Sequence, residues 1–291
     1  MLSPYFYAIA CFYGERLFIC NNGLAVSEPS IFIQLWYNNS MEQFIKNLAR
    51  GAGAILREGF RKELEINHKT AHWDVVTQYD LASDKYIQDR IKKKFPSHSI
   101  LSEETGRAGK SDNIWVIDPL DGTRNFSRGM PFFCVSISFV KKNHVVYGVI
   151  YDPIHDELFF AERGRGATLN GKPIFVSQSN MLNSAMACVL WHSNVVSEQL
   201  IKKLQKLSRE NEFWNTVMAS AALSLAQVAC GRLDLFVSKG AYPWDYSAAA
   251  CIAREAGAKI SDFKDKPYKW NLNEIVVANP KLHKLLIKSL K

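Results

Sequence analysis

The chain of 291 residues is 47% hydrophobic with a formal charge of +8. That is enough to build one large core or two fused ones, so it is no small module in need of staples. Its six cysteines, Cys11, Cys20, Cys134, Cys188, Cys230 and Cys251, form no CxxC pair, which excludes zinc-ligand spacing and points to reduced thiols in a cytoplasmic protein. The positive charge favours anionic partners without choosing among phosphorylated metabolites, nucleic acid and acidic protein surfaces. The basic groups "IKKKF", "VKKNH" and "IKKLQK" are scattered and lack interleaved aromatics, a pattern of solvated helix faces and loops rather than of a nucleic-acid surface.

The opening stretch "MLSPYFYAIACFYGERLFIC" is aromatic and apolar but has no leading positive region and is interrupted by Glu15 and Arg16. It is too short for a span of about 20 apolar residues, so it reads as neither signal peptide nor membrane helix, and no membrane partner is expected. From Met41, "MEQFIKNLARGAGAILREGF" places Phe44, Ile45, Leu48, Ala52, Ile55, Leu56 and Phe60 on one helical face. The ordered protein is therefore expected to begin near Met41, with residues 1–40 a poorly ordered extension or a misassigned start.

Residues 68–80 read as a loop entering a second helix, with Leu81, Ile87, Ile91 and Phe95 on its apolar side and Pro96 at its end. "SILSEETG" (99–106) is a short strand running into Glu103 and Glu104. Strand-like runs follow at 114–118, 132–140, 144–151, 157–161 and 166–176, the last broken by the turn signal "NGKP". Beyond them come a strand at 184–192, a helix at 195–210, and a small-residue helix from 220 that stops at Gly231 before another strand. A helix at 244–260, a strand at 275–278 and a basic terminal helix close the chain. The order predicts an α+β protein layered helix, sheet, helix, sheet, helix, in two sub-domains, 41–180 and 181–291.

The stretch "IWVIDPLDGTRNF" (114–126) ends an apolar strand in two carboxylates. Aspartate, proline and glycine make turns, and a turn is one reading. However, Asp118 follows Ile114, Trp115, Val116 and Ile117, and an ionised group emerging from a buried strand needs a counter-charge, which a metal ion supplies. Pro119 turns the chain so that Asp118 and Asp121 can face one point with the Leu120 carbonyl exposed between them, a hard oxygen set suited to Mg²⁺. Gly122 lets backbone approach a ligand, and the Gly122 and Thr123 amides can form an anion nest. Glu103, and Asp245 in "GAYPWDYSAAA", are further acidic sites; taken alone, the first reads rather as part of a solvated loop and the second as a helix-dipole partner.

Taken together, "HSILSEETG", "WVIDPLDGTRNFSRGMPFFCVSISF" and "YPWDYSAAACIAREAGA", with "HWDVVTQYD", "RGRGATLNGKPIFVS" and "ACGRLDLF", resemble the signatures of the inositol monophosphatase family. These are Mg²⁺-dependent, lithium-sensitive phosphatases, and the likeness is greatest to the bacterial extragenic-suppressor type. It runs from about Met41 to the end of the chain. The resemblance implies an αβαβα sandwich in which Glu103, Asp118 and the Leu120 carbonyl bind one Mg²⁺. Asp118, Asp121 and Asp245 would bind a second, and a third, weaker ion would lie near Glu103. Asp74 and Thr123 would position and activate the attacking water, and the Gly122 and Thr123 amides would hold the phosphate. Two Mg²⁺ would balance four carboxylates, and in-line attack by water needs no protein nucleophile. Cys134 and Cys188 lie in apolar runs and read as inert core thiols, and the histidines show no HExxH pattern.

Two positions depart from the family pattern. Members that use inositol phosphates carry a glutamate that grips ring hydroxyls where this chain has Ser238, followed by Lys239, and a glycine near the substrate where it has Ala219. The expected activity is hydrolysis of myo-inositol 1-phosphate or a similar small polyol phosphate. The alternatives are a phosphatase for a 3′,5′-bisphosphate nucleotide, histidinol phosphate or a sugar bisphosphate, or a binding protein of RNA-polymerase transcription complexes on the same scaffold. The family also implies a homodimer.

Overall fold

In the computed structural model, residues 9–13, 16–21, 24–25, 29–68, 75–191, 198–211, 213–240 and 242–290 are described. They fall into two compact units that divide between Phe44 and Ile45. In the first, β1 (Ile9–Tyr13), β2 (Arg16–Asn21) and β3 (Leu24–Ala25) form an antiparallel sheet. The first helix, α1 (Pro29–Gly59), starts upstream of the Met41 that its periodicity suggested.

In the second unit Ile45, Leu48, Ala49, Ala52 and Leu56 of α1 are buried. Gly51 and Gly59 leave the space that the rings of Tyr86 and Tyr79 fill, so α1 lies close against α2 (Gln78–Lys94). The expected loop before α2 contains a short ladder of β4 (Ile66–His68) and β5 (Val75–Thr77). Thr77 then caps α2, its backbone N–H and hydroxyl both reaching the Asp80 carboxylate.

The large sheet contains β6 (Ser99–Ser102), β7 (Gly106–Ala108), β8 (Asn113–Asp121), β9 (Cys134–Lys141), β10 (His144–Asp152), β11 (Glu157–Glu162), β12 (Ala167–Leu169) and β13 (Lys172–Pro173). Their spatial order is β13-β12-β11-β10-β9-β8-β6-β7, antiparallel except between β6 and β8. A five-residue helix, α3 (Thr123–Ser127), follows β8. The smaller sheet is built from β14 (Met186–Trp191), β15 (Trp214–Asn215), β16 (Leu235–Lys239), β17 (Lys259–Ser261) and β18 (Glu274–Ala278), in the order β15-β14-β16-β18-β17. Helix α4 (Glu198–Asn211) follows β14, α5 (Ala221–Ala229) precedes β16, and α6 (Pro243–Glu255) follows it. The terminal helix is α7 (Pro280–Leu290).

Helices α5 and α6 lie between the sheets: α6 packs on β8 to β12 and touches β17, while α5 touches β8 to β10 on one side and β16 and β18 on the other. Helix α2 packs on β8, Lys46, Arg50 and Gly53 of α1 meet Tyr151 and Phe160 of the large sheet, and α7, with α4 against it, packs on β17 and β18, so the layers are helix, sheet, helix, sheet, helix. One buried cluster runs through the middle layer, joining Ile114, Ile150 and Phe159 of the large sheet to Phe236, Ile275 and Val277 of the small one. The residues expected to continue α6 to 260 instead leave the helix at Ala256, reverse through Gly257 at φ 97°, and enter β17. Among the described residues no helix is long and apolar enough to cross a membrane.

Candidate active site

Strand β8 is buried from Ile114 to Asp121. It pairs in register with β9 as far as Asp118↔Ser136, and the next pair is Asp121↔Cys134. Three steps on β8 thus oppose two on β9. Pro119 has no N–H to give the ladder, and the extra residue forms a bulge. In a regular strand residues three apart face opposite ways; the bulge resets the alternation, so Asp118 and Asp121 converge.

The third carboxylate arrives on α6. Pro243 is at the start of that helix, and Asp245 accepts the Tyr242 N–H at 2.7 Å. Carboxylate oxygens of Asp118, Asp121 and Asp245 lie within 4.8 Å of one another. Glu103, which follows β6 and whose N–H donates to the Ile117 carbonyl at 3.1 Å, hydrogen-bonds to Asp118.

Burial raises Asp118 well above the usual carboxylate range, and the negative charges of Glu103, Asp121 and Asp245 add to it. Burial lifts Asp121 to about 6, opposed by the Ser220 hydroxyl and the Ala222 amide. These donors stand 2.5 and 2.7 Å from its Oδ2, with the Ala221 amide 3.3 Å from its Oδ1. The three clustered carboxylates, with Glu103 against Asp118, form a hard-oxygen donor set short of positive charge, and a divalent cation fits that need.

Beyond Leu120 the chain reverses at Gly122, φ 97°, where a Cβ would stand 3.1 Å from the Phe132 carbonyl. The Gly122 and Thr123 amides thus fall at the start of α3, where helical N–H groups have no intrahelical partner. The Thr123 hydroxyl lies 2.9 Å from Asp80 Oδ1 and 3.0 Å from the Leu120 carbonyl. Asp74, expected to serve Thr123, lies outside the described residues. Among the described residues, a carboxylate that reaches Thr123 is that of Asp80 in the first turn of α2. Burial raises Asp80 to about 6 against the lowering effect of its Thr77 and Thr123 hydrogen bonds.

Asp80 heads a polar stripe along α2. Ser83 donates to the Pro119 carbonyl at 2.9 Å. Asp84 accepts from Ser102 and Gln88, each at 2.6 Å, and Gln88 also donates to Thr105 at 2.7 Å. All four stripe residues are buried, whereas Leu81, placed on the apolar side by periodicity, is 52% exposed. The helix rotates its carboxylates inward because the ends of β6 and β8 offer donors and acceptors there. The recoverable signal was Asp80, Asp84 and Gln88 at helical spacing beside Ile87 and Ile91.

Asn125 ties α3 to the loop before α5, donating to the Phe132 and Met218 carbonyls at 2.6 and 2.7 Å. In that loop Ala219 sits at φ 52°, in the left-handed region. Ser238 lies on β16, 2% exposed, and accepts the Tyr246 hydroxyl at 2.8 Å; it is not open to a ligand. Lys239 pairs with Glu274 at 2.8 Å. Burial drives the Cys134 thiol well up and Cys188 to about 11, so neither supplies a thiolate nucleophile.

Residues 38–291 match the family model described as "Inositol monophosphatase family". "Inositol monophosphatase 3" of Solanum lycopersicum is 37% identical over 265 residues, which span 87% of this chain and 98% of that protein. "Nus factor SuhB" of Escherichia coli is 36% identical over 250 residues, 84% of this chain and 92% of that one. The crystal structure of the extragenic suppressor protein suhB from Bartonella henselae superposes with a TM-score of 0.81 at 32% identity, covering 87% of this chain and 98% of its own. The bulged strand end, its partner carboxylates and these likenesses over most of the chain's length lead to one conclusion: the chain belongs to the inositol monophosphatase family.

Proposed function

We propose that the protein is a Mg²⁺-dependent phosphomonoesterase that hydrolyses myo-inositol 1-phosphate or a similar small polyol phosphate to the free alcohol and phosphate. The observation that carries this reading is the convergence of Asp118, Asp121 and Asp245 within 4.8 Å. Asp118, Asp121 and Asp245, with Glu103 and the Leu120 carbonyl, would hold the metal. Magnesium, when bound, supplies Lewis-acid stabilisation of the phosphoryl and leaving-group oxygens and acidifies water.

The chain's own groups do the rest. Asp80 orients the Thr123 hydroxyl and, once ionised, accepts a proton through it from the attacking water. The Gly122 and Thr123 amides orient the phosphate for in-line attack. No phosphoenzyme forms. Tyr242 and Trp244 stack at 4.8 Å in the turn that carries Asp245, and supply a ring face for a polyol in place of the carboxylate absent at Ser238.

Phosphate release from myo-inositol 1-phosphate, a 3′,5′-bisphosphate nucleotide, histidinol phosphate and a sugar bisphosphate, with Mg²⁺ and with added Li⁺, tests the reading. Turnover of the inositol ester should lead and should be suppressed by Li⁺. No Mg²⁺-dependent turnover of any of the four by folded protein would refute it. The likeness to a protein named as a Nus factor supports a second reading, that the scaffold binds a transcription complex. Full rescue of a deletion phenotype by a hydrolytically dead Asp118→Asn, Asp121→Asn variant would establish that reading as the physiological one.

A further inference from the structure

Along α6 from Ser247 to Arg254 lies a cavity of about 460 Å³ that β10 and the loop between β17 and β18 also line. Its floor is Val145 of β10 with Ser247, Ala250 and Cys251 of α6, all buried. Its walls include the rings of Tyr268 and Trp270 from the loop between β17 and β18. Trp270 is fixed there by its indole N–H, which donates to Asn143 at 2.8 Å.

The rim carries the positive charges of Arg254, Lys266 and Lys269. His144, Arg254, Lys266 and Lys269 line the cavity and are exposed, and no carboxylate lines it. Among the described residues none of these four makes an ion pair. Of the nearby acids, Asp265 pairs with Lys259 at 2.9 Å, Asp262 accepts the Lys264 and Lys266 amides at 2.8 Å, Glu255 accepts the Gly166 amide at 3.0 Å, and Asp245 belongs to the carboxylate cluster. A second cavity, of about 330 Å³, is different in kind. Its Arg232 is forked onto Glu157 at 2.5 and 2.6 Å and its His155 faces Asp152 at 2.8 Å, so its charges are already matched.

A volume in the range of small-molecule sites (about 300–1,000 Å³), two ring walls and an unmatched ring of positive charge define a ligand chemistry. We propose that this cavity is a second binding site, apart from the carboxylate cluster, for an organic phosphate or sulfate that carries a planar ring. The anionic group sits among Arg254, Lys266 and Lys269, and the ring lies against Tyr268 and Trp270. The proposal does not rest on the phosphatase reading, because its test uses no phosphate ester.

Naphthalene-1-sulfonate is titrated into the full chain in EDTA, where the uncompensated carboxylates of the main site repel anions. Binding is followed by calorimetry and tryptophan fluorescence. The expected result is one saturable site per chain, a fluorescence change lost in Trp270→Phe, and affinity at least about tenfold weaker in the Arg254→Ala, Lys266→Ala, Lys269→Ala variant. That figure corresponds to three exposed cations at roughly 0.5 kcal/mol each. The neutral analogue naphthalene-1-methanol should bind more weakly than the sulfonate. Equal affinity in the triple variant, equal affinity for the neutral analogue, or no saturable binding up to roughly 10 mM (a weak-affinity limit) overturns the proposal. Arg254, Lys266 and Lys269 are all exposed, so the triple variant should keep the wild-type melting temperature.

Discussion

The Thr123 hydroxyl meets the Asp80 carboxylate at 2.9 Å across 43 positions of sequence. The same hydroxyl stands 3.0 Å from the Leu120 carbonyl, and its one hydrogen serves one acceptor at a time, so the position of a prospective metal-ligand carbonyl and that of a prospective base are coupled. Asp80→Asn keeps the shape but cannot accept a proton. Its kcat should fall by roughly 10²-fold or more, the usual contribution of a positioned base, with little change in the Mg²⁺ needed for half-maximal rate. Thr123→Ser should retain most activity because it keeps the hydroxyl. Steady-state rates against Mg²⁺ concentration check both, and a large shift in metal requirement for Asp80→Asn would reassign the residue to the cation site.

The carboxylate cluster should destabilise the metal-free fold. Asp118 is 1% exposed and faces three other acids. Removing one charge relieves that repulsion while removing a cation ligand. Asp118→Asn should therefore melt higher than wild type in EDTA at pH 7.5 and lose most of the rise that Mg²⁺ gives wild type. Thermal scans with and without metal decide the point, and a lower EDTA melting temperature in the variant counts against it.

The metal-free protein should also become more stable as pH falls from 7.5 towards 5. Asp80 titrates at about 6 when folded against 3.8 for the free group. A raised carboxyl binds its proton more tightly in the folded state, so stability rises as pH drops through 6 and levels off below about 4. Its own contribution is roughly 1.4 kcal/mol by pH 5 and roughly 3 kcal/mol below about pH 4. Asp121, also at about 6, acts in the same direction. Urea midpoints in EDTA across that range measure the sum, and Asp80→Asn should flatten the slope.

Much of the architecture was legible because the long strands and helices bury regular stripes. Ile45, Leu48, Ala52 and Leu56 are inward in α1 as their spacing required, and the unbroken apolar run 114–117 becomes the buried β8. Short elements such as β5 and β17, three residues each, exist only through pairing with distant partners and leave no periodic trace. The Asp118 and Asp121 motif was visible as a pattern, but Asp80 was not. A carboxylate in the first turn of a helix normally serves the helix dipole, and only the fold reveals that this one also reaches Thr123. Ser238 shows the reverse case: aligned with a substrate contact, it is consumed by Tyr246.

Asp84 and Ser102 give a further prediction about how Glu103 is held. Asp84 is buried and accepts from Ser102, the residue before Glu103, and from Gln88, which also holds Thr105. Asp84→Ala strands these donors and should cost about 1–3 kcal/mol in unfolding free energy. Because it loosens the segment that carries Glu103, it should also raise the Mg²⁺ requirement while sparing kcat at saturating metal. A fall in kcat with no change in metal dependence would assign the stripe to a different task.

Ala219 supplies the last test. At φ 52° an alanine pays the left-handed penalty of roughly 1–2 kcal/mol that glycine avoids, partly offset because glycine has more freedom to lose on folding. Ala219→Gly should therefore raise the unfolding free energy by about 0.5–1 kcal/mol, seen as a higher urea midpoint with an unchanged slope. The position adjoins Ser220, whose hydroxyl holds Asp121 at 2.5 Å, and follows Met218, whose carbonyl Asn125 grips. With both anchors intact, the substitution relaxes the backbone without moving the carboxylate, so the metal requirement should stay at the wild-type value. A destabilised variant would mean that the Ala219 methyl makes packing contacts worth more than the strain it carries.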